Sequence, residues 1–86
     1  MHTVEMLEQI MALADRMGYV VRQEWLGGSG GGACEFGGRK YIFVDLALNA
    51  VEQLDQVAAV LRGDPTLLTL KAPTPILQTL GLRRAA

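Results

Sequence analysis

A single α+β domain spanning residues 1–86 is predicted by three observations. Ala33 to Leu46 reads as a β-hairpin around Gly37-Gly38, and its second arm, from Arg39 to Leu46, is the most apolar β-like run in the chain. Apolar residues recur at helical spacing on either side of it. Eighty-six residues, half of them apolar, supply one core. The expected order is an N-terminal helix, a three-stranded antiparallel meander, a helix, a candidate edge strand and a short C-terminal helix.

Residues 3–17 fit the first helix. Leu7, Ile10, Met11, Ala14 and Met17 follow the 3, 4, 7 spacing, and Met6 and Leu13 widen the stripe. Thr3 is the expected cap, Glu5 and Arg16 suit the two ends of the helix dipole, and Gly18 supplies a left-handed stop. The methionines read as core filling in preference to an adaptable binding surface. Tyr19 to Leu26 is the first strand, with Tyr19, Val21, Gln23 and Trp25 on one face and Arg22 and Glu24 on the other. The lone tryptophan, Trp25, is expected half-buried at the core edge, with ligand stacking or an interface contact as the sharper reading.

Gly27 to Gly32, Gly-Gly-Ser-Gly-Gly-Gly, is a flexible connection between strands and has the look of a linker. In the second hairpin arm Ile42, Val44 and Leu46 share one face, and Tyr41, Phe43 and Asp45 the other. A strand apolar on both sides is central or covered twice, so the Tyr41/Phe43 side calls for the C-terminal segment or a second copy of the chain. Asn49 with Glu52 forms a capping-box pattern for the second helix, whose expected stripe is Val51, Leu54, Val57, Ala58 and Leu61, ending at Gly63. Residues 66–71 admit an edge strand or a short helix started by Asp64 and Pro65, and the strand is preferred. Thr74-Pro75 opens a last short helix carrying Ile76, Leu77 and Leu80, before Arg83-Arg84.

Eight basic against nine acidic residues give no basic balance for gripping a phosphate backbone, so no nucleic-acid partner is expected. One cysteine rules out an internal disulfide framework and a multi-cysteine zinc site. No apolar run approaches the ~20 residues of a membrane span and no signal segment is visible, so the expected location is cytoplasmic, with no membrane partner. A chain this short gains from self-association, and a homodimer is expected.

No catalytic constellation is legible, and the expected answer on enzymatic activity is no. Cys34 has only His2 as a histidine partner and reads as a small buried hydrophobe. Glu35 and Asp45 read as two solvated carboxylates, a weak acid–base signal. Arg39 and Lys40 read as edge charges that discourage strand pairing, joined at most by Arg83 and Arg84 in a small anion patch. Metal and cofactor are both expected absent, the metal on ligand count. Three functions stay in view, the last of them a thiol enzyme using Cys34. The first is a non-enzymatic interaction module, self-associating through the Tyr41/Phe43 face of the sheet or through a sheet edge. The second is a small-ligand or anion-binding domain using the Gly27–Gly32 loop, with Trp25, Gly28, Gly30, Gly31 and Arg39 as its contacts.

The run Gly31-Gly32-Ala33-Cys34, then Gly38-Arg39, Ile42-Phe43-Val44-Asp45 and Glu52-Gln53 before an alanine-rich helix, resembles a group of small bacterial proteins with no assigned activity. That resemblance covers most of the chain and implies a shared fold without a mechanism. Residues 38–62 also resemble, more faintly, the bacterial regulatory zinc metallopeptidases, in a Gly-Arg-x-x-Ile strand leading to a Glu-Gln helix. Where that family carries His-Glu-x-x-His, this chain has Gln56-Val57-Ala58-Ala59-Val60, so the kinship would bring neither zinc nor peptidase activity.

Overall fold

The computed structural model describes residues 2–28, 31–69, 76 and 80. The first helix, α1, runs Thr3–Arg16 and buries Leu7, Ile10, Leu13 and Ala14, with Met17 just beyond its end. Thr3 is not its cap. It already lies in the first turn, and the N-cap position belongs to His2, which makes no side-chain capping bond. Gly18, at φ +93°, takes the left-handed step that turns the chain into the sheet.

Three strands follow, β1 (Tyr19–Glu24), β2 (Gly32–Phe36) and β3 (Arg39–Asp45). They do not form an antiparallel meander. The order is β1-β3-β2, with β2 antiparallel to β3 and β1 parallel to it. The reason lies in β3 itself. Ile42 and Val44 on one face and Tyr41 and Phe43 on the other make it the strand that loses most at an edge, so it takes the centre. Because β2 occupies one side of β3 through the hairpin, β1 must take the other. The chain leaves β1 past the end of β3 through residues 25–28, and β1 runs the same way as β3. The hairpin turn matches its sequence: Gly37 and Gly38 sit at φ +59° and +77°, both in the region a two-residue turn requires.

Both helices lie on one face of the sheet. α1 packs on β1 and on α2 (Ala50–Arg62), and α2 packs on β3 and β2. The register places Tyr19, Val21 and Gln23 of β1, Lys40, Ile42 and Val44 of β3, and Ala33 and Glu35 of β2 on this side. Ile10, Ile42, Val44, Val57 and Leu61 are fully enclosed between the layers. The Asn49 capping box is formed in both directions: Glu52 N–H donates to Asn49 Oδ1 at 2.9 Å, and Asn49 N–H donates to Glu52 Oε1 at 3.1 Å. Leu54, Val57, Ala58 and Leu61 of the expected stripe are buried, whereas Val51 is exposed and Gln53 is buried in its stead. Burial of Gln53 is tolerated because its Nε2 donates to Leu48 O at 2.9 Å and its Oε1 accepts from Gln23 Nε2 at 3.3 Å.

The edge strand expected over 66–71 does not form. Pro65–Thr69 is a 3-10 turn instead, started by Asp64, whose Oδ1 accepts the Thr66 N–H at 2.9 Å. Proline cannot donate, and an acidic cap before it favours a helical start over a strand. Residues 70 and 71 lie outside the described residues, as does the C-terminal helix expected from Thr74-Pro75 except for two positions. Ile76 and Leu80 are buried in the core, and Leu80 N–H donates to Ile76 O at 3.0 Å, a helical bond. Among the described residues no helix is long and apolar enough to cross a membrane.

Candidate functional site

Asp45, the last residue of β3, organises the connection between β1 and β2. Its side chain is fully buried. Oδ1 accepts the N–H of Leu26 at 3.0 Å and of Ala47 at 2.9 Å, and Oδ2 accepts the N–H of Gly28 at 2.8 Å. Its own backbone N–H donates to Gln56 Oε1 at 3.2 Å, which ties the same point to α2. This overturns its reading as a solvated carboxylate. Nor does it approach Glu35, which pairs with Lys40 in the register and is exposed near the other end of β3. One signal in the sequence could have found Asp45, a single carboxylate closing an otherwise apolar central strand and followed by a turn.

The same geometry locates the candidate ligand contacts. Gly28, at φ +78°, turns its N–H inward to Asp45, so a side-chain oxygen of the protein already takes that amide of the loop. Gly31 is a glycine for steric reasons: a Cβ there would run into the backbone carbonyl of Phe43. Gly30 lies outside the described residues. Trp25 is 76% exposed and not half-buried, because β1 ends at Glu24 and leaves it on the crossing segment. Arg39 stands at the opposite end of β3 from Asp45, about 20 Å away along the strand, so it is not brought together with the loop.

The face of the sheet away from the helices carries Val20 and Arg22 of β1, Arg39, Tyr41 and Phe43 of β3, and Cys34 and Phe36 of β2. Tyr41 and Phe43 stack, with ring centroids 6.1 Å apart and planes 20° from parallel. Phe36 is 75% exposed. A shallow depression of about 340 Å³ lies beside Phe43, lined by Leu26 and residues 31–34. Cys34 is exposed, not the buried hydrophobe expected, because β2 is an edge strand and its odd-numbered residues are the ones turned to the helices.

A polar cluster closes the other end of the helix-covered face. The Tyr19 hydroxyl donates to Asp64 Oδ2 at 2.8 Å, and Lys40 Nζ reaches the same oxygen at 3.2 Å, the Met17 carbonyl at 3.3 Å and the Tyr19 ring at 4.3 Å. Lys40 is therefore no edge charge. It sits on the central strand, paired and half-buried, and only Arg39 of the two is turned to solvent. Burial, and then the Asp64 carboxylate, push the Tyr19 hydroxyl up to about 12. The Thr66 N–H and then the Tyr19 hydroxyl hold Asp64 well below the usual carboxylate range. The cluster locks the 3-10 turn onto β1 and β3.

The chain matches no family model, no curated protein and no solved structure. Among the described residues no three metal-ligating side chains converge. The register turns Cys34 to the face opposite the polar cluster, and a depression of about 190 Å³ at the sheet edge is lined by Tyr19 and Lys40 together with residues 33–35.

Proposed function

We propose that this protein is a non-enzymatic interaction module that self-associates through its sheet. One observation carries the reading: the stacked Tyr41–Phe43 pair occupies the middle of the face opposite both helices, with Phe36 three-quarters exposed beside it. Aromatic side chains each bring 150–250 Å² of surface, on the order of several kcal/mol when removed from water, and they are the commonest anchors of protein interfaces. The face carries Arg22 and Glu24 at one end, already paired at 3.3 Å, and Arg39 at the other. A polar rim around an aromatic centre is the usual anatomy of a contact surface.

The test is the oligomeric state across a concentration series, by sedimentation and native mass spectrometry. A dimer is expected for the unaltered chain, and Phe43→Asp is expected to give a folded monomer. A chain that stays monomeric at every concentration would sink the proposal, and a Phe43→Asp variant that dimerises unchanged would take the contact away from the aromatic face.

A further inference from the structure

We infer that two copies join along β2, antiparallel and about a two-fold axis at Cys34, to make one continuous six-stranded sheet. This rests on the self-association reading and specifies its geometry. The starting point is which backbone groups of β2 are spoken for. Phe36 and Arg39 flank the two-glycine turn and exchange both ladder bonds, so by alternation Cys34 and Gly32 also bond to β3. The N–H and C=O of Ala33 and Glu35 consequently point to the outer edge. No strand among the described residues pairs with that edge, where the Glu35 carbonyl accepts a long contact from the Cys34 Sγ at 4.0 Å.

Those two residues fit each other. With the axis at Cys34, Ala33 lies opposite the partner's Glu35 and Glu35 opposite the partner's Ala33. All four outward-pointing N–H groups and carbonyls of each pair then meet as bonded pairs. The side chains agree with this register. Phe36 comes opposite the partner's Gly32, which has no side chain of its own and is registered against Phe43 in its own sheet. The exposed ring of each copy thereby fills the gap beside the partner's Phe43, an aromatic covering a glycine across an edge. Both open faces fall on the same side and their aromatic groups become continuous. On the other side α2 packs against β3 and reaches β2, and the helix-facing Ala33 and Glu35 stay exposed, so that face of β2 has room for the partner's edge.

Cys34 itself becomes a reporter. Opposed to the partner's Cys34 at a non-bonded position, its Cα stands about 4.5 Å from its mate, within reach of a disulfide. Reduced protein is treated with diamide and run on a non-reducing gel, beside sedimentation of the same samples. The expected result is a dimer whose Cys34 cross-links quickly, with Cys34→Ser dimerising as the unaltered chain does. Glu35→Pro removes an outward N–H without touching the β3 ladder, and is expected to lose both dimer and cross-link while keeping its circular dichroism. Should that variant fail to fold, Phe36→Ser, at an exposed site, decides: its dimer dissociation constant is expected to rise about tenfold. A dimer that does not cross-link, or that ignores these substitutions, overturns the edge pairing and leaves self-association standing. Monomers at every concentration overturn both.

Discussion

The Asp45 carboxylate and the Gly28 N–H, 2.8 Å apart, join the end of the central strand to the middle of the loop that crosses it. With Leu26 held by the other oxygen, the segment from β1 to β2 is anchored to a side chain and not to another loop. A single buried acid thus holds the start of the glycine-rich stretch, at Leu26 and Gly28. The Asp45→Asn variant keeps one acceptor and turns an amide against a backbone N–H. It is expected to lose about 3 kcal/mol of unfolding free energy, read from the urea midpoint; an unmoved midpoint would remove Asp45 from this role.

Gly31 and Gly28 are glycines for different reasons, and alanine separates them. At Gly31 the new Cβ meets the Phe43 carbonyl, so the loop or β3 has to move, at a cost of about 2–3 kcal/mol. At Gly28 there is open space but φ is +78°, and the expected cost is about 1 kcal/mol from the backbone alone. Thermal unfolding of the two variants should rank them in that order, and the reverse ranking would contradict the crossing described for the loop.

The Tyr19–Lys40–Asp64 cluster sets limits on pH stability. Asp64 binds its proton more weakly folded than unfolded, so its contribution is complete above the ordinary carboxylate value near 4 and drains away as pH falls below it. Tyr19 has the opposite sign. Its contribution is complete below its ordinary value near 10 and is lost as pH rises towards about 12. Denaturant midpoints should therefore hold level between these limits and fall outside them. Asp64→Asn should flatten the acid limb and Tyr19→Phe the alkaline one; limbs that survive both changes would assign them elsewhere.

Asn49→Ala removes the cap of α2 and its reciprocal bond to Glu52. About 1 kcal/mol of stability should be lost, measured by chemical denaturation, and Asn49→Asp should retain most of it. Equal losses in both variants would mean that the cap is not what the substitution removes.

The elements were legible in the sequence because each leaves a local trace. The Gly37-Gly38 turn, the Asn49–Glu52 box and the spacing of Leu7, Ile10 and Ala14 are short-range patterns, and all appear as expected. What pairs with what leaves no such trace. Nothing within Tyr19–Glu24 says that it runs parallel to β3, because that follows from the path of a loop fixed by Asp45 far along the chain. Lys40 beside Arg39 reads as one of two surface charges until the central place of β3 turns one inward and one outward. Trp25 and Cys34 were assigned burial on residue type, and an early strand end and an edge position overrode that. At residues 66–69 a cap and a proline outweighed the leucines. The Tyr41/Phe43 surface was readable throughout, since it depends only on the alternation within one strand.

The parallel pairing of β1 with β3 also orders events in time. The β2–β3 hairpin closes across two glycines and needs no other part of the chain, so it can zip within microseconds of collapse. β1 has no place to dock until β3 is present, and its pairing brings together residues as distant as Tyr19 and Lys40 while Leu26 and Gly28 settle on Asp45. Pairings of long sequence separation are the slow ones. The strand made earlier in synthesis is thus the last to be incorporated, and a nascent chain halted after Glu24 carries a β-strand with no partner to receive it.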